Sequence, residues 1–188
     1  MAKDRYVIAI TGASGALYGI RLLEVLKKMR LETHGIITNA AVLNLKLEKT
    51  LTRTDFTNLC TQTYDEKDVG ANLASGSFIT QGMVIVPCST KTLACIAHGI
   101  SDNLVTRCAE VCLKERRKLI LVPRETPLSL IDLRNMVLAA EAGAVILPAM
   151  PGFYHKPREI KDLVDHVVGK VLDALGVQNN LFRRWSGE

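Results

Sequence analysis

The stretch VIAITGASGALYGIRLLEVLKKM, Val7 to Met29, constrains the fold more than any other part of the chain. A continuous apolar run ends at Thr11 and turns through Gly12, Ala13, Ser14 and Gly15. Apolar residues then recur at Leu22, Leu23, Leu26 and Met29, which is helical spacing. An unbroken apolar run is the mark of a strand buried on both faces, so a buried strand feeds directly into an amphipathic helix. The same grammar repeats. Arg5–Thr11, Thr33–Thr38, Met83–Val86, Leu119–Val122 and Ala144–Leu147 read as strands. Gly15–Met29, Ala40–Leu47, Thr90–His98, Asn103–Arg116, Ser129–Ala142 and Glu159–Leu175 read as helices.

Short apolar runs alternating with helices predict βαβ units. The expected fold is a three-layer, Rossmann-like α/β sandwich on a mostly parallel, doubly wound sheet. With 188 residues and no linker or repeat, one domain is expected over 1–188. Leu51–Gly82 is polar and reads as a short helix near Asp55–Cys60 followed by a long loop. The tail QNNLFRRWSGE carries no clear element.

The formal charge of +5 favours an anionic ligand, but no basic block with interleaved aromatics points to nucleic acid. No apolar run approaches the ~20 residues of a membrane span, so no membrane role is expected. Cys60, Cys88, Cys95, Cys108 and Cys112 are odd in number and form no C-x-x-C pair. Free thiols in a reducing cytoplasm are expected. Cys108 and Cys112 share one helix face and read as buried thiols rather than metal ligands.

In doubly wound sheets, ligands sit beyond the C-terminal ends of the strands. Five strand ends here carry small, hydroxylated or charged residues: Gly12–Gly15, Thr38-Asn39, Pro87–Thr92, Pro123–Pro127 and Pro148–Tyr154. The glycine turn suits either a tight strand–helix connection or a phosphate on a helix start. It is not a P-loop, which needs a Lys this turn lacks. It is not a dinucleotide fingerprint, since the third glycine and the acidic residue after the second strand are both absent. No Tyr-x-x-x-Lys pair exists either. A mononucleotide such as FMN remains, its single phosphate among N–H groups and hydroxyls.

Arg107 and Lys114 lie seven apart and point within about 20° of each other on one helix. Glu110, four residues before Lys114, supports the alternative reading of a solvated face. Arg116, Arg117 and Lys118 read as a basic helix end that complements the dipole. Arg124 and Glu125 follow a buried strand directly, and suit an anionic leaving group beside a proton carrier, or else an ion pair. His34, His98, His155 and His166 form no metal set or triad. Ser14 and Ser89 lack a nucleophile elbow and read as hydrogen-bonding groups.

With these residues in place, the sequence resembles the flavin prenyltransferase (UbiX-like) flavoproteins over nearly its whole length. The resemblance is carried by TGASGALYG (Thr11–Gly19), SGSF (Ser75–Phe78), the long block from Pro87 to Ser129, GAVILPAMPGFYHKP (Gly143–Pro157), DLVDHVVGKVLDALG (Asp162–Gly176) and Arg184-Trp185. It implies metal-independent transfer of a dimethylallyl group from dimethylallyl phosphate to N5 and C6 of reduced FMN. It also implies a UbiD-like decarboxylase that receives the prenylated FMN, and a homo-dodecamer with sites between subunits.

Carried over by residue, the resemblance implies FMN contacts from Gly12, Ala13, Ser14, Thr38, Ser89, Thr90, Lys91, Thr92 and Arg124, with Arg107 in the same region. It implies that Lys114, Arg124, Tyr154 and Lys170 hold the prenyl phosphate with Glu125 nearby. Ser14, Glu125, Lys114, Glu48 and Trp185 are the implied catalytic set, with Trp185 in the tail (176–188) closing over the site. Without a D-D-x-x-D motif for Mg²⁺, Lys and Arg must stabilise the leaving phosphate. Thr38 stands where members commonly have Ser, and Lys170 where some have Arg, which keeps charge but loses bidentate geometry. Two alternatives share the fold: an FMN-dependent cysteine decarboxylase, which would want an Asn-rich loop absent from Pro87–Thr92, and a non-catalytic FMN-carrying subunit.

Overall fold

The computed structural model describes residues 4–48 and 52–187. Leu51, the first residue of the segment expected to be irregular, lies outside them, as does Glu188 at the tail's end. Six strands form one all-parallel sheet: β1 (Arg5–Ile10), β2 (Glu32–Ile37), β3 (Gln62–Tyr64), β4 (Gly82–Cys88), β5 (Lys118–Pro123) and β6 (Val145–Ile146), in the order β3-β2-β1-β4-β5-β6. The chain winds outward from β1 to β3, returns to β4 beside β1, and winds outward the other way. The switch point therefore lies between β1 and β4.

Strand periodicity builds the two faces. Tyr6, Ile8 and Ile10 of β1, with Val84 and Val86 of β4 and Ile120 and Val122 of β5, point to one face. Val7, Ala9, Met83, Ile85, Leu119 and Leu121 point to the other. The first face is covered by α1 (Ala16–Lys28) and α7 (Ile160–Leu175), with α2 (Asn39–Leu47) and α3 (Arg53–Leu59) contributing Ala41, Leu45 and Phe56. The second is covered by α4 (Thr90–Ala97), α5 (Leu104–Lys114) and α6 (Leu130–Glu141). These are the three layers predicted.

The segment after α2 departs from expectation. Its helix runs over Arg53–Leu59, closed at the front by a capping box between Thr52 and Asp55. Gln62–Tyr64 is a strand, where a loop was expected, because His34, Gly35 and Ile36 of β2 offer an edge to pair with. A 3-10 turn follows at Asn72–Ala74. Cys108 and Cys112 are buried, and burial pushes their thiols up to about 12 and about 11. At neutral pH they are protonated and packed, as the sequence suggested.

The basic run after α5 also differs. Arg117 donates to the carbonyls of Phe78 and Gly76, and Lys118 to the carbonyl of Leu175 at 2.8 Å. Arg117 thus fastens a loop and Lys118 caps the C-terminal end of α7, and neither complements the dipole of α5.

Candidate functional site: an anion cradle at the switch point

All strands are parallel, so their C-terminal ends and the turns that follow share one edge. At the switch point the two central turns are laced together. The Thr11 hydroxyl donates to the Pro87 carbonyl at 2.9 Å and accepts the Ser89 N–H at 2.8 Å. This knot fixes the start of α4 against the end of β1. Ser89 then caps α4, its Oγ accepting the N–H of Thr92. The N–H groups of Thr90 and Lys91, in the first turn, have no acceptor within the helix. Thr38 caps α2 in the same way, accepting the N–H of Ala41 at 3.2 Å.

Between these two helix starts lies a cavity of about 370 Å³ lined by Thr11, Gly12, Thr38, Ala40, Glu66, Ser89, Thr90, Lys91, Thr92 and Asn103. Two positive helix ends, several hydroxyls and the Lys91 ammonium face one space, a setting for one phosphate. Gly12 allows the approach: a Cβ there would stand 2.7 Å from Ala40 Cβ. Lys91 pairs with Asp102, which raises the Lys91 pKa and lowers that of Asp102, chiefly through their mutual hydrogen bond. Six of the predicted FMN contacts line this cavity: Gly12, Thr38, Ser89, Thr90, Lys91 and Thr92. Thr11, Ala40, Glu66 and Asn103 join them unpredicted. Only their positions beside strand ends or helix starts could have flagged them.

The start of α1 is different. Gly15 occupies the N-cap with φ 98° and has no side chain to cap with. Glu48, at the end of α2, supplies the anion: its two carboxylate oxygens accept the N–H groups of Gly15 and Ala16 at 2.8 and 3.2 Å. The glycine turn was one candidate for the phosphate. The chain places its own carboxylate on those N–H groups, Glu66 likewise takes the Asn39 N–H at the start of α2 at 2.8 Å, and the free donors lie chiefly at the start of α4. Ala13 is buried and Ser14 exposed beside this turn.

Arg124 leaves the end of β5 and donates through Nε to the Ser14 carbonyl at 3.1 Å, bridging the two turns. Glu125 turns away from it and accepts the Thr126 N–H at 3.1 Å, so the two form no ion pair. After β6, the loop to α7 is tied beside β5 by the Ala149 N–H on the Pro123 carbonyl. It carries Tyr154, whose hydroxyl lies 3.2 Å from His166 Nε2 on α7. Trp185 meets Tyr154 edge to face at 5.8 Å between ring centroids, and is 65% exposed. The tail beneath it is docked on α7: Arg184 forms a two-pronged pair with Asp173, and Asn179 donates to the Gly169 carbonyl. Lys170 lies 3.9 Å from the same Asp173.

Two predicted residues stand apart within one chain. Arg107 binds the Ala74 carbonyl and pairs with Glu110 at 2.8 Å. Lys114 pairs with Glu115 at the far end of α5, roughly 16 Å along the helix from the cavity-lining Asn103. No group of three or more His, Cys, Asp or Glu side chains among the described residues is arranged to hold a metal ion. No helix among the described residues is long and apolar enough to cross a membrane.

A three-layer sandwich with hydroxyl-capped helix starts converging on its switch point defines a mononucleotide-binding α/β protein. The model of the flavoprotein family matches residues 1–172. The chain is 48% identical over 186 residues to flavin prenyltransferase UbiX of Escherichia coli (strain K12), covering 97% of this chain and 98% of that one. It superposes with a TM-score of 0.97 and 44% identity on AnUbiX (PadA1), crystallised in complex with FMN and dimethylallyl pyrophosphate, over the full length of both chains. It superposes with a TM-score of 0.95 and 43% identity on a dodecameric FMN-dependent UbiX-like decarboxylase from Escherichia coli O157:H7, covering 97% of this chain and 100% of that one. The chain belongs to the flavoprotein family and, within it, to the UbiX-like flavin prenyltransferases.

Proposed function

We propose that this protein is a flavin prenyltransferase that binds reduced FMN as acceptor and joins to it the dimethylallyl group of dimethylallyl phosphate, at N5 and then C6. The observation that carries the proposal is the full-length likeness to AnUbiX (PadA1), crystallised with FMN and a dimethylallyl donor, in a chain that builds its own single-phosphate cradle. The FMN phosphate sits between the starts of α2 and α4, on the N–H groups of Thr90 and Lys91 and the hydroxyls of Thr38, Ser89 and Thr92. Gly12, Ala13 and Ser14 form the wall along which the ring system lies. Arg124, tied to that wall at Ser14, reaches both FMN and the donor phosphate.

Breaking the allylic C–O bond leaves a phosphate whose charge must be stabilised. Arg124, the Tyr154 hydroxyl and, farther along α7, Lys170 are the groups suited to that task. Glu125, exposed and unpaired by any cation among the described residues, is placed to receive or return a proton. Trp185 and Tyr154 offer ring faces to the cationic prenyl fragment. Glu48 holds the Ser14–Gly15 turn in place.

Arg107 and Lys114 lie outside the cavity of their own chain, and act in that of a neighbouring subunit. The exposed apolar face of α6, formed by Leu130, Ile131, Leu133, Val137 and Leu138, supports assembly of a homo-oligomer, a dodecamer in this proposal. The prenylated flavin passes to a UbiD-like decarboxylase. The five unpaired cysteines are in keeping with a cytoplasmic setting.

The test is an anaerobic incubation with reduced FMN and either dimethylallyl phosphate or its diphosphate, followed by mass spectrometry of the flavin. A flavin that gains one five-carbon unit is the expected result. A flavin unchanged with both donors refutes the proposal.

A further inference from the structure

We propose that His166 is a positioning residue that fixes the Tyr154 phenol as a hydrogen-bond donor toward the phosphate of the prenyl donor. Tyr154's place at the donor phosphate rests on the function proposed above. The role of His166 rests on the geometry of its two nitrogens. The backbone N–H of Gly152 points at His166 Nδ1, 3.2 Å away. A backbone N–H can only donate, so Nδ1 must carry the lone pair. The ring proton is therefore on Nε2, which lies 3.2 Å from the Tyr154 hydroxyl. Nε2–H donates and the phenol oxygen accepts. The phenol's own hydrogen then cannot point back at His166, and is left for an acceptor on the open side.

The surroundings hold this state. The His166 ring stacks on His155 at 5.0 Å and 5° and meets Phe182 at 4.7 Å, which fixes its plane, and a 180° flip in that plane would lose the Gly152 and Tyr154 hydrogen bonds. The charged and titratable groups around it are His155, Lys170 one turn along α7, and Arg184, whose guanidinium lies over Phe182. Asp162, one turn earlier on α7, spends its carboxylate on the N–H groups of Arg158 and Glu159, and neither His166 nitrogen bonds to a carboxylate. Burial, His155 and Lys170 hold its pKa below the usual value, so it is neutral at pH 7. Tyr154 is 43% exposed, and among the described residues its hydroxyl has no hydrogen-bond partner except His166. A phenol restricted to donating, with the Lys170 ammonium one turn along α7 from its partner His166, is a site for an anionic oxygen.

The test has one arm on the proton and one on turnover. Solid-state nitrogen NMR of histidine-labelled wild-type protein, sedimented as the full assembly, reads the tautomer directly. An unprotonated Nδ1 with a protonated Nε2 at His166 is expected, and a protonated Nδ1 overturns the proposal. In the anaerobic prenylation assay, His166→Phe keeps the ring packing and loses both hydrogen bonds. KM for dimethylallyl phosphate is expected to rise on the order of five- to tenfold, with FMN affinity unchanged. His166→Gln, whose amide oxygen accepts and whose amide nitrogen donates, is expected to restore KM to within about twofold of wild type. In a Tyr154→Phe background, His166→Phe is expected to add nothing. An unchanged KM in His166→Phe, no rescue by Gln, or an equal loss in the Tyr154→Phe background overturns the proposal. Wild-type protein that fails to prenylate either donor refutes the assigned function instead, and leaves the NMR arm to decide the tautomer alone.

Discussion

The carboxylate of Glu48 gives a sharp test of how the turn after β1 is held. It accepts two backbone N–H groups, from Gly15 and Ala16, at a helix start that has no capping side chain and no acidic residue in its first turn. Glu48→Ala removes both acceptors. A lost N-cap costs about 0.5–2 kcal/mol, and a hydrogen bond to a charged group about 1.5–3 kcal/mol. Glu48 is half-buried, and water partly replaces what is lost, so about 2 kcal/mol is expected in total. For a domain of this size that lowers Tm by about 4–8 °C. Glu48→Gln keeps one acceptor and loses the charge facing the helix dipole, so about 1 kcal/mol and 2–4 °C are expected. The assay is thermal unfolding without flavin, at one fixed protein concentration, because ligand and assembly both shift Tm. The order wild type, Gln, Ala is the expected result. Glu48→Ala melting within about 1 °C of wild type would refute the cap and return the α1 start to the list of anion sites.

Three other outcomes follow from the geometry. Glu66 lines the proposed phosphate cavity while accepting the Asn39 N–H at 2.8 Å, so Glu66→Gln keeps the bond and removes roughly 1 kcal/mol of repulsion; FMN should bind about fivefold tighter in a fluorescence titration. Gly12→Ala would set a Cβ 2.7 Å from Ala40, and relieving that overlap costs about 1–3 kcal/mol, so FMN affinity measured the same way should fall about tenfold. The Asp173 pKa is held below its usual value of 3.8, first by the hydrogen bond from Arg184, then by charge and by Asn179. Its contribution to tail docking is therefore present at neutral pH and lost as pH falls through the depressed folded value. Trp185, the single tryptophan, should report tail release by fluorescence below about pH 4, and Arg184→Ala should shift that transition to higher pH.

Strands buried on both faces were legible because their apolar runs are local. Val7–Ile10 and Met83–Val86 announce themselves in a few letters, whichever neighbours they later pair with. Gln62–Tyr64 was not legible. It is short, polar and half-exposed, and is a strand only because β2 lends it a ladder. The proposed FMN cradle was half legible. Ser89–Thr92 and Thr38 sit at strand ends, where hydroxyls and N-caps are visible as letters. Glu66 reaches the same cavity from a loop and Asn103 from the start of α5, and the letters do not reveal that either converges there. The pairing of Arg124 with the Ser14 carbonyl, 110 residues away, was equally hidden, and the adjacent Glu125 offered a more obvious partner that the backbone turns aside.

The sequence by itself determined the layered α/β architecture, the edge where ligand chemistry gathers, and, through its long shared motifs, the family. Those properties follow from hydrophobic period and strand-end composition, which need no knowledge of distant neighbours. The tertiary structure decided which helix starts are free to hold an anion. It put Glu48 on α1 and Glu66 on the first N–H of α2, left the start of α4 open, set Lys114 at the far end of α5 from the cavity of its own chain, and gave His166 the two partners that fix its proton. Each depends on groups brought together across the fold, where hydrogen bonding is set by ångström geometry and not by the order of residues.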